Sequence, residues 1–287
     1  MPERTLVLGG GHLGSFLARC WQLPPELHWK ADLDQLDDET LRDLRPDVIV
    51  NCAGKTDLAW CESNPLECFR SNVAAPLALY RRIGWVFGRH ARYLHLSSGC
   101  VWDGPFRRDG TPFHPADPPS PACFYSWTKA AVDALLLQEL STPLLILRPR
   151  QLYSPDPVER NSLIKLCRYP RLVDTPNSMT SADTVRRTIE TALTASPTAW
   201  NRVLAVYDRG IITPLQVGRL LAHAGLRRMP DSLSKLELDS WHKPRRVDVV
   251  LYDPFFEALV RPPPVLDEIQ RVIGLLDSRG LDRALRS

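Results

Sequence analysis

Near the start of the chain a short apolar run passes directly into a glycine turn, and this junction limits the fold more than any other feature. Thr5-Leu6-Val7-Leu8 reads as a buried strand, Gly9-Gly10-Gly11-His12-Leu13-Gly14 follows at once, and Ser15 to Cys20 continues as a helix. Gly9, Gly11 and Gly14 satisfy Gly-x-Gly-x-x-Gly. Such a turn lets backbone approach a pyrophosphate closely and aims a helix N-terminus at the anion. A plain glycine-rich connection is the alternative, and the strand before and helix after favour the nucleotide. His12 and Leu13 lie within the turn and join the glycines as expected cofactor contacts.

The alternation continues. Leu27-His28-Trp29-Lys30 is the candidate second strand, and it lacks the terminal acidic residue that would hold a free ribose 2′-hydroxyl. Lys30 can instead face a 2′-phosphate, which leans the cofactor towards NADPH with NADH still open. Pro46 to Cys52 is a third strand, opening into Ala53-Gly54-Lys55, residues suited to lie beneath a cofactor, and a helical pattern then reaches Asn72. Tyr93 to Ser98 and Leu144 to Arg150 are further buried strands. About five strand–helix repeats predict an α/β fold, a Rossmann-type doubly wound parallel sheet. The dense pattern stops near Ser154-Pro155-Asp156-Pro157. Residues 1–153 are therefore read as an NAD(P)-binding domain and 154–287 as a smaller C-terminal substrate lobe, with segments returning to the sheet.

Bulk properties narrow the function classes. A net charge of +3 over 287 residues points to neither nucleic acid nor membrane. Seven cysteines without a Cys-x-x-Cys pair argue against a disulfide framework and a zinc site. No apolar run reaches bilayer length and the first residues show no signal pattern, so a cytoplasmic protein without a metal is expected.

Phe124-Tyr125-Ser126-Trp127-Thr128-Lys129 places a tyrosine and a lysine four residues apart at a predicted helix start. That spacing puts them one turn apart on one face. An ammonium there favours the phenolate and makes the pair a proton donor to a carbonyl. A surface tyrosine that happens to precede a lysine is the other reading. Ser98 falls at the end of a strand, on the rim that carries the glycine turn and the tyrosine helix. The loop from Pro105 to Pro121 is proline-rich and suits a substrate cover.

In this order the glycine turn, Ser98, Tyr125 and Lys129 resemble an extended short-chain dehydrogenase/reductase. More narrowly, the chain is similar to the nucleotide-rhamnose epimerase/reductases, and the dTDP-4-dehydrorhamnose reductases share the general plan. Asn51-Cys52-Ala53-Gly54, Trp60-Cys61-Glu62-Ser63, Ser98-Gly99-Cys100-Val101, Leu147-Arg148-x-Arg150 and Pro176-Asn177-Ser178-Met179-Thr180 carry the likeness, as does Pro244-Arg245. Departures are a glycine loop one residue shorter at its start, serine for threonine at position 98, and Trp127 inside the tyrosine motif.

The resemblance implies NAD(P)H-dependent reduction of the C4 ketone of a nucleotide-linked 4-keto-6-deoxyhexose. Tyr125 would protonate the C4 oxygen, Ser98 would hydrogen-bond it, and Lys129 would hold the nicotinamide ribose and lower the tyrosine pKa. Cys100 and Lys165 match the family's epimerase pair, which exchanges the acidified protons at C3 and C5. A packed small cysteine and a helix-surface lysine are the plainer readings of those two. Gly99, Arg150, Asn161, Asn177 and Arg245 are expected around the substrate, since arginine pairs bidentately with phosphate. A C4 ketoreductase without epimerase activity, a non-catalytic NADP-binding regulatory subunit and a reductase of a non-sugar carbonyl stay open. The partner expected is a nucleotide-sugar substrate, with neither nucleic acid nor membrane, and a homodimer is compatible.

Overall fold

The computed structural model describes residues 4–241 and 243–277. Its first five strands are β1 (Thr5–Leu8), β2 (His28–Trp29), β3 (Val48–Asn51), β4 (Arg92–Leu96) and β5 (Leu144–Pro149). Five more follow: β6 (Leu152–Tyr153), β7 (Arg171–Val173), β8 (Thr180–Ser181), β9 (Arg202–Val206) and β10 (Asp231–Leu233). Six form one sheet in the order β2-β1-β3-β4-β5-β9, and every neighbouring pair is parallel. Strands covered by helices on both faces need apolar residues throughout, and β1 and β3 are buried at every position. One short helical turn, Leu33–Gln35, and the Asp38–Leu44 helix fill the stretch between β2 and β3, and β2 forms one edge of the sheet.

Alternate residues of each strand feed the two faces. Leu6, Leu8, Ile49, Tyr93 and Ile146 pack with Leu79, Ile83, Val132 and Leu136, from the Ala75–Phe87 and Phe124–Glu139 helices. Val7, Val48, Val50 and Leu94 pack with Leu17, Val185 and Ile189, from the His12–Cys20 and Ala182–Thr194 helices. The edge strand β9 and the Ala182–Thr194 helix both come from beyond residue 153.

A third core lies beside the sheet, around Tyr153, Ile164, Leu215 and Ile269. Two parallel pairs, β6 with β8 and β7 with β10, brace this region. Asp208 ties it together by accepting from Tyr153 Oη at 2.6 Å and from the Ser181 N–H at 2.7 Å. Burial raises the Asp208 carboxyl to about 6. Among the described residues no helix is long and apolar enough to cross a membrane.

Candidate functional site

Parallel strands end on one side of the sheet, and the order reverses between β1 and β3, the place where such folds take ligands. A cleft of about 600 Å³ opens over those ends, lined by Gly11 and His12 after β1, Cys52 to Gly54 after β3, Ser98 after β4 and Arg150 after β5. A second hollow, of about 500 Å³, lies at the amino edge of the sheet between Asp47, Arg92 and Trp200, and it contains none of the expected residues.

Close approach explains two glycines of the turn. A Cβ on Gly14 would stand 2.0 Å from the Gly9 carbonyl oxygen. Gly9 has φ +104°, a conformation that side chains resist, and an added Cβ would meet the Ala53 nitrogen at 2.8 Å. Gly11 has open space above it, which leaves its backbone accessible from the cleft. His12 opens the helix and bonds Ser154 Oγ at 2.7 Å, joining the turn to the second half of the chain. Burial lowers its imidazole to about 4. Leu13 is buried and also lines the cleft. Lys30 crosses Gly10 from the end of β2, and a Cβ there would meet its Cγ at 3.3 Å.

Ser98, Tyr125 and Lys129 line the same cleft and are each nearly buried. The Ser98 hydroxyl accepts the Cys100 N–H at 3.1 Å. Burial pushes the Tyr125 phenol up, Cys100 adds to the rise, and a hydrogen bond with Ser98 opposes it. The phenol is thus held protonated, as a proton donor must be. Lys129 does not figure among the leading influences on Tyr125. Its Nζ instead donates to the Leu96 carbonyl at 3.0 Å, and burial lowers its pKa. Desolvation, rather than the downward pull of Lys129 expected from the spacing, is the leading influence on the phenol.

Gly54 has φ +151°, and an added Cβ would meet Asn72 Oδ1 at 3.0 Å. Asn72, in a π-helical turn at Arg70–Ala74, holds the adjoining loop. Its Oδ1 accepts the Lys55 N–H at 2.8 Å and its Nδ2 donates to the Lys55 carbonyl at 2.9 Å. Both groups act beneath the cleft surface, so Asn72 shapes the cleft floor from below. Lys55 turns outward, its Nζ 5.3 Å from the Trp60 ring centre. Burial lifts the Cys52 thiol to about 12, which leaves it a neutral part of the floor.

Cys100 and Lys165 face this cleft as well. Arg150 Nη1 donates to the Cys100 sulfur at 3.2 Å. Lys165 is exposed to the cleft, and its pKa is lowered by partial burial and by Arg246 and Arg160. Arg245 reaches the cleft and pairs with Asp103.

Asn161 and Asn177, expected near the substrate, are not among the residues that line the cleft. Asn161 is fully buried, caps the Ser162–Arg168 helix through the Leu163 N–H, and donates to the Ser154 and Asp156 carbonyls. Asn177 is equally buried, between Arg150 Nε at 3.0 Å and Asp248 Oδ1 at 2.8 Å. Both stabilise the walls. Gly99 is buried against Leu251, and Arg150 is engaged by Asn177 and the Val247 carbonyl, so it offers the cleft a fixed charge. The proline-rich loop is pinned by Phe113, whose N–H donates to the Val250 carbonyl at 2.9 Å, and it packs outside the cleft.

The family described as RmlD substrate binding domain matches residues 8–176, which include the glycine turn, Ser98, Tyr125, Lys129 and Lys165. The chain belongs to that family. A bifunctional dTDP-4-dehydrorhamnose 3,5-epimerase/dTDP-4-dehydrorhamnose reductase of Arabidopsis thaliana is 34% identical over 154 residues, 50% of this chain and 48% of the relative. A dTDP-4-dehydrorhamnose reductase of Mycobacterium tuberculosis is 30% identical over 147 residues, 47% of this chain and 46% of the relative. The chain thus spans about half the length of these curated relatives. Among solved structures, a UDP-rhamnose synthase from Acanthamoeba polyphaga mimivirus superposes with TM-score 0.79 at 19% identity, covering 94% of this chain and 99% of the other. RMD from Pseudomonas aeruginosa, complexed with NADPH, gives TM-score 0.74 at 18% identity, covering 96% and 99%. At such identities the likeness is one of fold.

In this RmlD-family chain the outer half of the cleft holds residues that the sequence reading missed. Arg160, Tyr169, Trp241, Lys243 and Arg246 line it. Arg160 donates to Thr56 Oγ1 across the mouth, and the Arg246 guanidinium stands 5.7 Å from the Tyr169 ring centre. No local motif marks them, because they converge from separate segments. Trp127, the departure inside the tyrosine motif, points away from the cleft and stacks on Phe124 and Phe69.

Proposed function

We propose that this protein is an NADPH-dependent reductase of the C4 ketone of a nucleotide-linked 4-keto-6-deoxyhexose. The observation that carries the reading is the meeting of Ser98, Tyr125 and Lys129 in one cleft with the glycine turn. The cofactor residues fit NADPH: an open backbone at Gly11, a helix N-terminus at His12, and Lys30 beside Gly10 where a 2′-phosphate would lie. NADPH, when bound, supplies the hydride. Tyr125, kept protonated by burial, gives its proton to the C4 oxygen as charge develops there. Ser98 orients that oxygen. Lys129 contributes a fixed positive charge at the cleft wall, and solvent restores the phenolic proton. The cations Arg160, Arg245 and Arg246 suit a diphosphate, and Tyr169 and Trp241 suit a base.

The finer reading adds epimerisation at C3 and C5. The Cys100 sulfur is fixed by a hydrogen bond from the Arg150 guanidinium, and Lys165 is shifted towards the neutral amine. Inverting a centre next to a ketone takes a proton from one face and returns one to the other, roles that Cys100 and Lys165 would divide in the same cleft. Reduction without epimerisation is the second reading, favoured by the single-activity name of the mycobacterial relative.

The test is NADPH oxidation against UDP- and dTDP-4-keto-6-deoxyglucose, with product stereochemistry read by NMR. Turnover with either supports the reductase reading, and inertness with both, in protein that binds NADPH, removes it.

A further inference from the structure

Asp133 lies one helical turn beyond Lys129 in the Phe124–Glu139 helix and is 1% exposed. Its Oδ2 accepts from Ser97 Oγ and from Arg148 Nε, each at 2.8 Å. Its Oδ1 is buried with no hydrogen-bond partner. A bare carboxylate oxygen in a dry interior is costly unless a nearby cation compensates it. Arg148 is already engaged, its guanidinium 4.9 Å from the Trp102 ring centre. Lys129, in turn, donates to an uncharged acceptor, the Leu96 carbonyl. Arg148 is thus ion-paired with Asp133 at 2.8 Å, and Lys129 feels the same charge from one helical turn away.

The other titratable groups around Lys129 come from every neighbouring element. They are Tyr125 on its own helix, His95 on β4, Cys52 after β3, and Cys61 and Cys68 on the helices Leu58–Ser63 and Pro65–Phe69. Burial pushes the Cys52 and Cys61 thiols and the Tyr125 phenol up, and the His95 imidazole down, so these four stay neutral near pH 7. Asp133 is the carboxylate in this set. We propose that Asp133 is a positioning residue whose charge keeps Lys129 an ammonium, aimed at the Leu96 carbonyl beneath the cleft floor. Its consequence for turnover rests on the reductase reading, whereas the charge relationship does not.

The pair is tested by competitive acetylation with acetic anhydride across pH, reading Lys129 modification by mass spectrometry. Asp133→Asn keeps an acceptor for Ser97 and lowers the labelling midpoint of Lys129 by about one pH unit or more. Arg148→Gln removes the competing cation and raises that midpoint. Asp133→Glu keeps the charge and stays near wild type. Opposite shifts in the first two variants support the proposal, since a purely structural role has no reason to produce them. Unmoved midpoints overturn it, as do shifts of one sign. If Asp133→Asn fails to fold by circular dichroism, the upward shift in Arg148→Gln decides, and its absence overturns the proposal. The alkaline limb of kcat should follow the labelling midpoint. A midpoint that moves without that limb supports Asp133's role and counts against Lys129 in reduction.

Discussion

Arg150 donates a hydrogen bond to the Cys100 sulfur at 3.2 Å, which fixes a thiol beside the Tyr125 phenol. The remaining guanidinium groups are held by Asn177 and the Val247 carbonyl, so the donor cannot swing away without breaking buried contacts. This relationship makes the epimerase reading testable apart from reduction. Turnover in deuterated water should place deuterium at C3 or C5 of the product, and Cys100→Ala should reduce that incorporation by about 10²-fold or more while C4 reduction persists. Incorporation unchanged by the substitution would remove Cys100 from the reaction.

Gly14→Ala should damage cofactor binding more than folding. The added methyl would press on the Gly9 carbonyl at 2.0 Å, and relief requires the loop to move away from its anion-binding form. A fluorescence titration should show NADPH affinity weakened by at least about tenfold. Wild-type affinity would contradict the assignment of the turn.

His12 gives stability a pH dependence of known sign. Its folded pKa of about 4 lies below the ordinary imidazole value of 6.5, so between these values the unfolded chain binds a proton that the folded chain refuses. Stability therefore falls as pH drops from 6.5 to 4, by up to about 3 kcal/mol from this group. His95, also lowered, acts in the same direction. Urea unfolding at several pH values should show the loss, and His12→Gln should flatten it. An equal slope in that variant would show that His12 titrates normally.

Asn72→Ala should weaken the floor of the cleft. The side chain satisfies both backbone groups of Lys55 and also reaches Thr128 Oγ1 at 3.2 Å. Leaving buried partners unpaired costs about 2–4 kcal/mol, measurable as a lower urea midpoint. A change below about 0.5 kcal/mol would mean the loop is held by other contacts.

Much of the fold is legible because its signals are local. The apolar runs at Val48–Asn51 and Arg202–Val206 read as strands, and the glycine turn declared its strand and helix. The Ser162–Arg168 helix could also be read from its pattern. The pairing of β7 with β10 was hidden, because it joins short segments some 60 residues apart with little periodicity. That Ser98, Tyr125 and Lys129 share one cleft was readable from strand-end and helix spacing. Asn161 and Asn177 show the limit of such reading, for polar residues near a site can be consumed by caps and walls. Asp133 was invisible for the opposite reason. A carboxylate on an apolar helix looks like a solvated residue until its burial is seen.

The central claim is that the Tyr125 phenol is the proton donor of a sugar-nucleotide ketoreductase. Tyr125→Phe keeps the ring and removes the proton, so its steady-state NADPH oxidation with a nucleotide-linked 4-keto-6-deoxyhexose is the most direct test. The account predicts kcat reduced by about 10²- to 10⁴-fold, with NADPH affinity unchanged within a few-fold. Wild-type kcat in that variant would contradict it.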